Sequence, residues 1–383
     1  MTAEAGGPGS TLRSLLVLLP GHGIGGAELH TLEIVRAAAG LGVRVALAAE
    51  PAFIAALSRL LGRLPGLTLH PSPGLGWSPE RFHESPVDQA RATSRLLEET
   101  CPDAALLPLP WPTAGIGPRR ALAAAEVPSL LVGHLVPLDG DANAVRALGG
   151  FAAGPGRVVA VSAPTARRLA LGYGLAPGQV GVVPNGVVVP PEDPAARAEA
   201  RRFKRQWLNL PPDAPMLVFA GRLDKQKGAD LLPALALALW QRRGATVLAL
   251  GQGEMLEQLA GLGEPLRLPG QVADVPDWLL AADALLMPSR LEGCPLTFLE
   301  AAARRCPVLA SRAALECLED RAGEMATLID LDSPYSLTAD ACEGFPPGPR
   351  SQVLVAAAWR HAAQFDQAAM LRRYLGLLRG LVA

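Results

Sequence analysis

Two runs of alternating strand-like and helix-like segments constrain the fold of this 383-residue chain most strongly. In the first run, the short apolar segments that are typical of buried strands cover residues 12–19, 43–49, 67–69, 104–109, 129–133, 158–162 and 181–183. In the second run they cover residues 216–220, 246–250, 284–287, 309–311 and 326–329. Strands that alternate with helices pair in parallel. The sequence therefore predicts an α/β fold with doubly wound parallel sheets, in which ligands bind at the carboxyl ends of strands.

A Pro-rich linker separates the two runs. Two proline-rich segments flank a charged helical segment at residues 195–207, and a chain of this length is long for a single hydrophobic core. We therefore predict an N-terminal Rossmann-like domain at residues 1–188 and a C-terminal one at residues 189–356, in which residues 189–212 are the linker.

The two ends of the chain differ in pattern. Residues 353–382 are amphipathic at helical spacing with a break near residues 365–366, and we predict that residues 357–383 form a closing helix. Residues 1–10 are rich in glycine and predict a loose tail.

Composition excludes several classes of protein. A net charge of −1 gives no case for nucleic-acid binding. The apolar segment at residues 15–19 is too short to cross a bilayer and lacks a basic leader flank. The five cysteines are odd in number and form no CxxC pair, which is typical of reduced thiols in a cytoplasmic protein. A basic cluster leaves peripheral membrane contact open, although a solvated helix face is the simpler interpretation; its members are Arg201, Arg202, Lys204 and Arg205.

The stretch at residues 289–300 runs from a predicted strand into a predicted helix and carries two carboxylates. Glu292 falls in the loop and Glu300 lies more than one turn into the helix. The backbone N–H groups near Gly293, Cys294 and the helix start, where Pro295 suits the first helical position, can bind an anion. This layout fits a nucleotide-sugar, with its ribose, diphosphate and hexose. The alternative is an ordinary strand–loop–helix with surface carboxylates.

Two other predicted strands of the second half end in groups suited to phosphate. Arg222 and Lys227 follow the strand at residues 216–220, and Gly251 and Gly253 follow the next strand. A guanidinium can bond two phosphate oxygens at once, and an ammonium adds a point charge. A diphosphate clamp is the interpretation we favour over isolated surface cations.

The first half has weaker signals of the same kind. A Gly-rich turn at residues 20–28 includes Gly25 and Gly26 and opens a helix, which lets backbone approach a phosphate. It is neither a GxGxxG fingerprint nor a P-loop, so a plain tight turn is an equal alternative. His22 and His134 both fall at the carboxyl ends of predicted strands.

Two D-x-D triplets begin at Asp139 and Asp330. Neither has the histidine or carboxylate neighbours of a metal site, and we interpret both as loop or surface carboxylates. We predict no metal site.

Several motifs together resemble the retaining glycosyltransferases of the GT-B fold, specifically glycosyltransferase family 4 (group 1). The motifs are Gly25-Gly26-Ala27-Glu28, Val183-Pro184-Asn185-Gly186-Val187, Phe219-Ala220-Gly221-Arg222-Leu223 with Lys227-Gly228, Gly251-Gln252-Gly253, and Glu292-Gly293 through Glu300-Ala301. The resemblance implies two Rossmann-like domains that face each other across a cleft, with the C-terminal helix crossing back to the first domain.

The resemblance also implies roles for individual residues. Arg222 and Lys227 would bind the diphosphate, Glu300 the ribose diol, and Glu292 the hydroxyls of the donor sugar. Gly25 and Gly26 would approach the phosphates, and His134 would lie beside the transferred sugar. The implied catalytic set is His134, Arg222, Lys227 and Glu292. The implied donor-binding set is Gly25, Gly26, Arg222, Lys227, Gly251, Gly253, Glu292, Gly293, Cys294, Pro295, Leu296 and Glu300. Cys294 and Leu296 differ from many relatives, so the pocket beside Glu292 can have its own shape.

The resemblance implies a bacterial enzyme that moves a sugar from a nucleoside-diphosphate-sugar to a hydroxyl acceptor with retention of configuration. The acceptor would be a glycan, a lipid-linked intermediate or a small molecule. No further cofactor and no nucleic acid are expected. The alternatives are a nucleotide-sugar 2-epimerase or a phosphorylase on the same fold, and a non-catalytic nucleotide-sugar-binding module.

Overall fold

Two compact α/β units make up the chain in the computed structural model, which describes residues 11–21, 23–261 and 263–383. The N-terminal unit extends to Pro184 and also contains Ala368–Ala383, and the C-terminal unit is Asn185–Gln367. The predicted domain boundaries fall after residues 188 and 356. The predicted N-terminal tail and His22 lie outside the described residues.

The N-terminal unit contains a seven-stranded sheet with the order β3-β2-β1-β4-β5-β6-β7. Its strands are β1 (Ser14–Leu18), β2 (Arg44–Ala49), β3 (Leu67–Pro71), β4 (Ala104–Leu109), β5 (Ser129–Gly133), β6 (Gly156–Ala160) and β7 (Val180–Val182). Its helices are α1 (Gly26–Gly40), α2 (Pro51–Leu61), α3 (Ser85–Thr100), α4 (Ile116–Ala124), α5 (Ala142–Ala147) and α6 (Ala163–Tyr173), with short 3₁₀ turns at Pro79–Arg81 and Pro112–Gly115.

Every strand pair in this sheet is parallel. The central strands β1, β4 and β5 are buried along their whole length, as expected for strands with helices on both faces of the sheet. The strand order reverses between β1 and β4, so the loops after these strands diverge at a topological switch point.

The C-terminal unit contains a six-stranded parallel sheet with the order β10-β9-β8-β11-β12-β13. Its strands are β8 (Met216–Ala220), β9 (Thr246–Leu250), β10 (Leu266–Gly270), β11 (Ala284–Met287), β12 (Val308–Ser311) and β13 (Thr327–Ile329). Its helices are α7 (Pro194–Trp207), α8 (Leu232–Arg243), α9 (Leu256–Ala260), α10 (Val275–Ala281), α11 (Leu296–Ala303), α12 (Pro334–Gly344) and α13 (Pro349–Ala362), with 3₁₀ segments at Ala229–Leu231 and Ala313–Glu324. The switch point of this sheet lies between β8 and β11.

The predicted closing helix is two helices, α13 and then α14 (Gln367–Arg379). The interruption between them falls near residues 365–366, as predicted. All but the first residue of α14 belongs to the N-terminal unit. There Tyr374 is fully buried, and its hydroxyl donates to the Val183 carbonyl oxygen at 3.4 Å. Within the described ranges, no helix is both long and apolar enough to cross a membrane.

The basic cluster on α7 is not the solvated face that the sequence favours. Arg201 and Arg205 donate to the two carboxylate oxygens of Asp283 at 2.6 and 2.8 Å, and Lys204 pairs with Asp274. The Arg205 side chain is only 1% exposed. The sequence pattern could not show this because Asp283 is 78 residues from Arg205. Three of the four cations therefore anchor α7 within the C-terminal unit.

Candidate functional site

The candidate site in the C-terminal unit is formed by the loops that follow β8, β9 and β11. β8 lies between the other two strands in the sheet, and all three run in the same direction. The carboxyl ends of these strands therefore share one edge, at the switch point where parallel α/β sheets bind ligands.

The loop after β8 presents a guanidinium to solvent. Arg222 donates to the Gln226 side-chain oxygen at 2.7 Å, lies 3.2 Å from an Asp224 carboxylate oxygen, and is 53% exposed. Asp224 also accepts the Lys227 backbone N–H at 2.9 Å and so closes the turn. Arg222 is held in place from one side and can still bind a ligand oxygen from the other.

The loops after β8 and β11 are fastened to each other. The Gln226 side-chain amide donates to the Leu291 carbonyl oxygen, and the Arg290 N–H donates to the Gln226 carbonyl oxygen at 2.8 Å. Gly228 has φ +77°, and a Cβ there would lie 2.1 Å from the Pro288 carbonyl oxygen. Only glycine permits this contact. Backbone and side-chain contacts therefore join the two loops, although the loops lie about sixty residues apart in the sequence.

Lys227 and Glu292 form an ion pair across these two loops. The Lys227 Nζ lies 2.6 Å from a Glu292 carboxylate oxygen. The Glu292 side chain is only 8% exposed, whereas that of Lys227 is 23% exposed. The structure thus brings together two of the predicted catalytic residues, and the acid of the pair is the more deeply buried.

The loop after β9 packs tightly against the loop after β8. The Leu223 N–H donates to the Gln252 carbonyl oxygen at 2.9 Å, and a Cβ at Gly251 would lie 1.9 Å from the Gly221 carbonyl oxygen. A Cβ at Gly253 would lie 2.4 Å from the Leu223 carbonyl oxygen. Gly251 and Gly253 therefore have a packing function at this edge, whatever ligand is bound.

The stretch from Glu292 to Glu300 leads into α11 as the sequence predicts, but Pro295 is the N-cap residue in extended conformation and not the first helical residue. Gly293 and Pro295 are buried, and Cys294 and Leu296 are half-buried. The Asn185 side-chain amide donates to the Cys294 carbonyl oxygen at 2.7 Å and fixes the loop. The helix begins at Leu296, and the first backbone N–H groups of a helix have no partner within it.

Glu300 lies in the second turn of α11 and is half-buried. Burial raises the pKa of the Glu300 carboxyl, and the Arg304 guanidinium opposes that shift. Arg304 donates to the Glu300 carbonyl oxygen at 3.3 Å. A half-buried carboxylate of this kind gains from hydroxyl donors such as a ribose diol.

In the N-terminal unit, the Gly-rich turn after β1 already contains a carboxylate. Gly25 is the N-cap of α1, and its N–H donates to a Glu28 carboxylate oxygen at 2.9 Å. The other oxygen of Glu28 points toward Gly21, where a Cβ would approach it to 2.4 Å. The Gly25 N–H that was predicted to meet a phosphate is therefore occupied by Glu28, while Gly26 is the first residue of the helix.

His134 follows β5 and lies in a buried aromatic cluster. The His134 and His30 rings meet edge to face with centroids 5.0 Å apart, and His30 meets Tyr374 in the same way at 5.0 Å. Among the described residues, neither ring nitrogen of His30 has a hydrogen-bond partner, and neither does Nε2 of His134. Burial lowers the pKa of His30 to about 4, and burial together with His30 holds the pKa of His134 well below its usual range. Both rings are neutral at pH 7.

Sequence reasoning missed the contacts of three residues at these sites. Gln226 links Arg222 to the Glu292 loop, Asn185 holds Cys294, and His30 packs on His134. His30 could have been found from periodicity, because it lies one helical turn before the fully buried Ile34. The contacts of Gln226 and Asn185 have no local signal, although Asn185 belongs to the Val183–Val187 motif, since their partners are remote in sequence.

A depression of about 450 Å³ also exists in the C-terminal unit, but its lining residues include Arg305, Pro307 and Trp359. These residues lie at the amino end of β12 and on α13, whereas the site described above lies at the carboxyl ends of strands. In the part of the chain that the structure describes, no group of three or more His, Cys, Asp or Glu side chains could hold a metal ion.

Comparison with known proteins agrees with this geometry. The family profile described as "Glycosyltransferase Family 4" matches residues 24–189, and the profile described as "Glycosyl transferases group 1" matches residues 214–343. Together the two matches cover most of the chain.

Among curated relatives, the D-inositol 3-phosphate glycosyltransferase 1 of Catenulispora acidiphila is 33% identical over 266 residues, which are 64% of this chain and 62% of that protein. The D-inositol 3-phosphate glycosyltransferase of Thermobispora bispora is 33% identical over 235 residues, 57% of this chain and 54% of the relative. The match thus spans little more than half the length of these relatives.

Solved structures share the architecture at low sequence identity. The Anabaena protein Alr3699/HepE in complex with UDP-glucose has a TM-score of 0.74 at 19% identity, covering 96% of this chain and 99% of that one. WaaG, a glycosyltransferase involved in lipopolysaccharide biosynthesis, has a TM-score of 0.72 at 16% identity, covering 95% and 99%. With its two Rossmann-like parallel sheets and the two family matches, the chain belongs to the family 4 (group 1) glycosyltransferases and has the GT-B fold.

Proposed function

We propose that this chain is a retaining glycosyltransferase that transfers a sugar from a nucleoside-diphosphate-sugar to a hydroxyl acceptor. The observation that carries the proposal is the cluster at the switch point of the C-terminal sheet. There the exposed Arg222, the Lys227–Glu292 pair and the start of α11 lie on loops that are bonded to one another. Cations and helix N–H groups suit a diphosphate, and acids on either side suit sugar hydroxyls.

The chemistry follows from where charge develops. Breaking the bond between the sugar and the diphosphate places negative charge on the leaving phosphate and positive character on the sugar carbon. Arg222, Lys227 and the first N–H groups of α11 are suited to stabilise the former. Because these groups are held by Gln226, Asp224 and the sheet edge, they need little reorganisation during the reaction.

In this proposal the two carboxylates bind opposite ends of the donor. Glu300 accepts the ribose hydroxyls, and Glu292, held by Lys227 at 2.6 Å, accepts hydroxyls of the transferred sugar. A fixed carboxylate orients the sugar carbon for attack, which lowers the entropic part of the barrier. The role of His134 beside the transferred sugar stays a prediction, because His134 belongs to the N-terminal unit, where its ring is buried against His30.

UDP-sugars are the donors to test first, because the structurally similar HepE has been crystallised with UDP-glucose and with UDP and glucose. D-inositol 3-phosphate is the first acceptor to test, because the curated relatives carry that name. Glycan and lipid-linked acceptors complete the panel.

The test begins with calorimetric titration of UDP, GDP and ADP into the full chain and into two variants. Arg222→Ala should weaken the preferred nucleotide at least tenfold, about 1.4 kcal/mol. Arg321→Ala is the matched control, since Arg321 is 61% exposed and pairs only with Glu324 at 3.3 Å among its ion-pair contacts in the described chain. Equal affinity of both variants would contradict the diphosphate clamp.

Product analysis then decides the reaction. Incubation with donor and acceptor should yield a glycoside with the anomeric configuration of the donor, which proton NMR reads directly. Conversion of the donor sugar without any acceptor would indicate an epimerase, and transfer to or from inorganic phosphate a phosphorylase. Binding with no turnover on any acceptor would indicate a non-catalytic module.

A further inference from the structure

The depression of about 450 Å³ beside α13 has the composition of a ligand-binding site. Two segments of the C-terminal unit form it: the turn that joins α11 to β12, and the chain from Pro347 along α13. Its volume lies within the range of about 300–1,000 Å³ that is usual for small-molecule sites. The depression lies at the amino end of β12, whereas the candidate site described above lies at the carboxyl ends of strands, so the two are separate.

One face of α13 supplies most of the lining. Ser351, Val355, Ala356, Trp359 and Arg360 recur at the spacing of consecutive helical turns. From Ser351 to Trp359 this face is about 12 Å long, at a rise of about 1.5 Å per residue. Two prolines complete the apolar part of the wall. A molecule with an apolar body of about that length can therefore lie along α13.

The charged side chains that line the depression are both cations. They are Arg305 and Arg360, and no carboxylate is present among the described lining residues. Arg305 has one ion-pair partner within the described chain, Glu192 at 3.4 Å, which is itself 63% exposed. Exposed ion pairs are weak, so the Arg305 guanidinium can exchange Glu192 for the oxygens of a bound anion.

Arg305 and Trp359 meet in the wall of the depression. The guanidinium carbon lies 4.5 Å from the centroid of the indole ring, which is a cation–π contact. The Trp359 indole N–H is buried and has no hydrogen-bond partner among the described residues. A buried donor without an acceptor is costly. An oxygen of a bound molecule would satisfy it.

The backbone at Arg305 has a conformation that suits glycine. Its φ is +51°, in the left-handed region, and it directly follows Arg304, the C-cap residue of α11. Glycine is the usual residue at this position because a side chain is strained there. Arginine therefore makes the turn less stable than glycine would, while it supplies a cation to the depression. Strained residues of this kind cluster at ligand-binding sites.

We propose that this depression binds a phosphate monoester that carries an apolar body, such as an aromatic ring system. The two arginines match the charge of a phosphate monoester, which is close to −2 at pH 7. A guanidinium can bond two phosphate oxygens at once, and the body would lie along Val355 and Ala356. The inference does not rest on the proposed function, because no residue of the depression belongs to the candidate site.

Calorimetric titration of 2-naphthyl phosphate into the full chain tests the proposal. We expect saturable binding, and binding at least about tenfold weaker for inorganic phosphate, which lacks the apolar body, and for 2-naphthol, which lacks the charge. 2-Naphthoate, with a single charge, should bind more weakly than the phosphate. No binding of 2-naphthyl phosphate at millimolar concentration would overturn the proposal, and so would equal affinity for either naphthyl reference compound.

Two variants locate the binding. Arg305→Gly removes the cation at a position whose φ suits glycine, so this variant should be at least as stable as the unmodified chain in urea unfolding. It should raise the Kd of 2-naphthyl phosphate at least about tenfold. Arg222→Ala is the matched control, because it removes an exposed arginine from the candidate site, and it should leave this Kd unchanged. An unchanged Kd in Arg305→Gly, or loss of binding in Arg222→Ala, would contradict the assignment.

Nuclear magnetic resonance supplies a readout at the depression itself. The chain has six tryptophans, whose indole N–H groups give six signals in a ¹H–¹⁵N spectrum. Trp359→Phe identifies the Trp359 signal as the one that disappears. In the unmodified chain 2-naphthyl phosphate should shift this signal, and excess UDP should not reverse the shift. Binding that leaves the Trp359 signal in place, or a shift that UDP reverses, would place the compound elsewhere and overturn the proposal.

Discussion

Removal of Lys227 should destabilise the C-terminal unit, because the Lys227–Glu292 ion pair is partly withdrawn from water. Lys227→Met keeps the length and much of the apolar stem of the side chain and deletes only the charge. It leaves Glu292, whose side chain is 8% exposed, without its ammonium partner at 2.6 Å. The free energy of unfolding should therefore fall by an amount set by an uncompensated buried carboxylate.

The magnitude follows from the burial of each partner. Breaking a fully buried pair by removing one member costs about 3–5 kcal/mol. The Lys227 side chain is 23% exposed, so water reaches one side of the pair and we expect about 2–3 kcal/mol. Glu292→Gln leaves the better hydrated partner behind and should cost about 1 kcal/mol. The double variant should cost less than the two singles together, with a coupling of about 1–2 kcal/mol.

Urea unfolding followed by tryptophan fluorescence measures these changes. Trp207, Trp240, Trp278 and Trp359 all lie in the C-terminal unit, so its transition dominates the signal. With a slope of about 1–3 kcal/mol per molar urea, Lys227→Met should lower the midpoint by about 1 M. Arg321→Met is the matched control, because the Arg321–Glu324 pair is more than 60% exposed on both sides and should contribute at most about 1 kcal/mol.

Two results would refute this reasoning. One is additivity of the single variants, which would mean that the two side chains do not interact in solution. The other is disappearance of the Lys227→Met effect in 1 M NaCl, where exposed pairs are screened within about 3 Å. Either result would show that the pair is a surface contact and not part of an organised site.

Three further outcomes are expected. Glu300→Gln should leave the unfolding free energy unchanged or slightly higher, because burial raises the pKa of this carboxyl, yet it should weaken nucleotide binding about tenfold in calorimetry; a loss of stability would contradict this. Gly253→Ala should destabilise the C-terminal unit by more than about 1 kcal/mol in urea unfolding, since its Cβ would meet the Leu223 carbonyl oxygen at 2.4 Å, whereas Gly261→Ala, with open space around it, is the control. His30 is protonated in the unfolded chain below pH 6.5 but resists protonation in the fold until about pH 4, so the free energy of unfolding falls as pH falls. From pH 7 to pH 5 His30 should contribute a loss of about 2 kcal/mol, which His30→Phe removes. An unchanged pH dependence of urea unfolding in that variant would disprove this.

Local sequence patterns predicted much of the fold. The strand at residues 284–287 coincides with β11 (Ala284–Met287), and the break in the closing helix falls between α13 and α14. The parallel, doubly wound sheets are confirmed. The short helix α12 was missed because its sequence, PYSLTADACEG, contains few strong helix formers and little apolar periodicity.

The pattern of charges was a poorer guide than the pattern of apolar residues. The cluster at Arg201, Lys204 and Arg205 has the charge pattern of a solvent-exposed helix face. Its side chains form ion pairs with Asp283 and Asp274 instead. The sequence shows that a charged side chain can bind a partner of opposite charge, but it does not show whether such a partner lies nearby in the fold. Burial of a cation depends on a carboxylate that the sheet order brings to it.

The amino-acid sequence by itself determined the two parallel α/β sheets, the strand ends that carry Arg222, Lys227, Glu292 and Glu300, and the resemblance to family 4 glycosyltransferases. Tertiary structure alone decided that Lys227 pairs with Glu292 and that the Gln226 side-chain amide donates to the Leu291 carbonyl oxygen. The physical reason is the distance along the sequence over which each kind of interaction acts. Helix and strand periods repeat within a few residues and can be read locally, whereas these contacts join loops from different strands, which become neighbours only when the sheet is assembled.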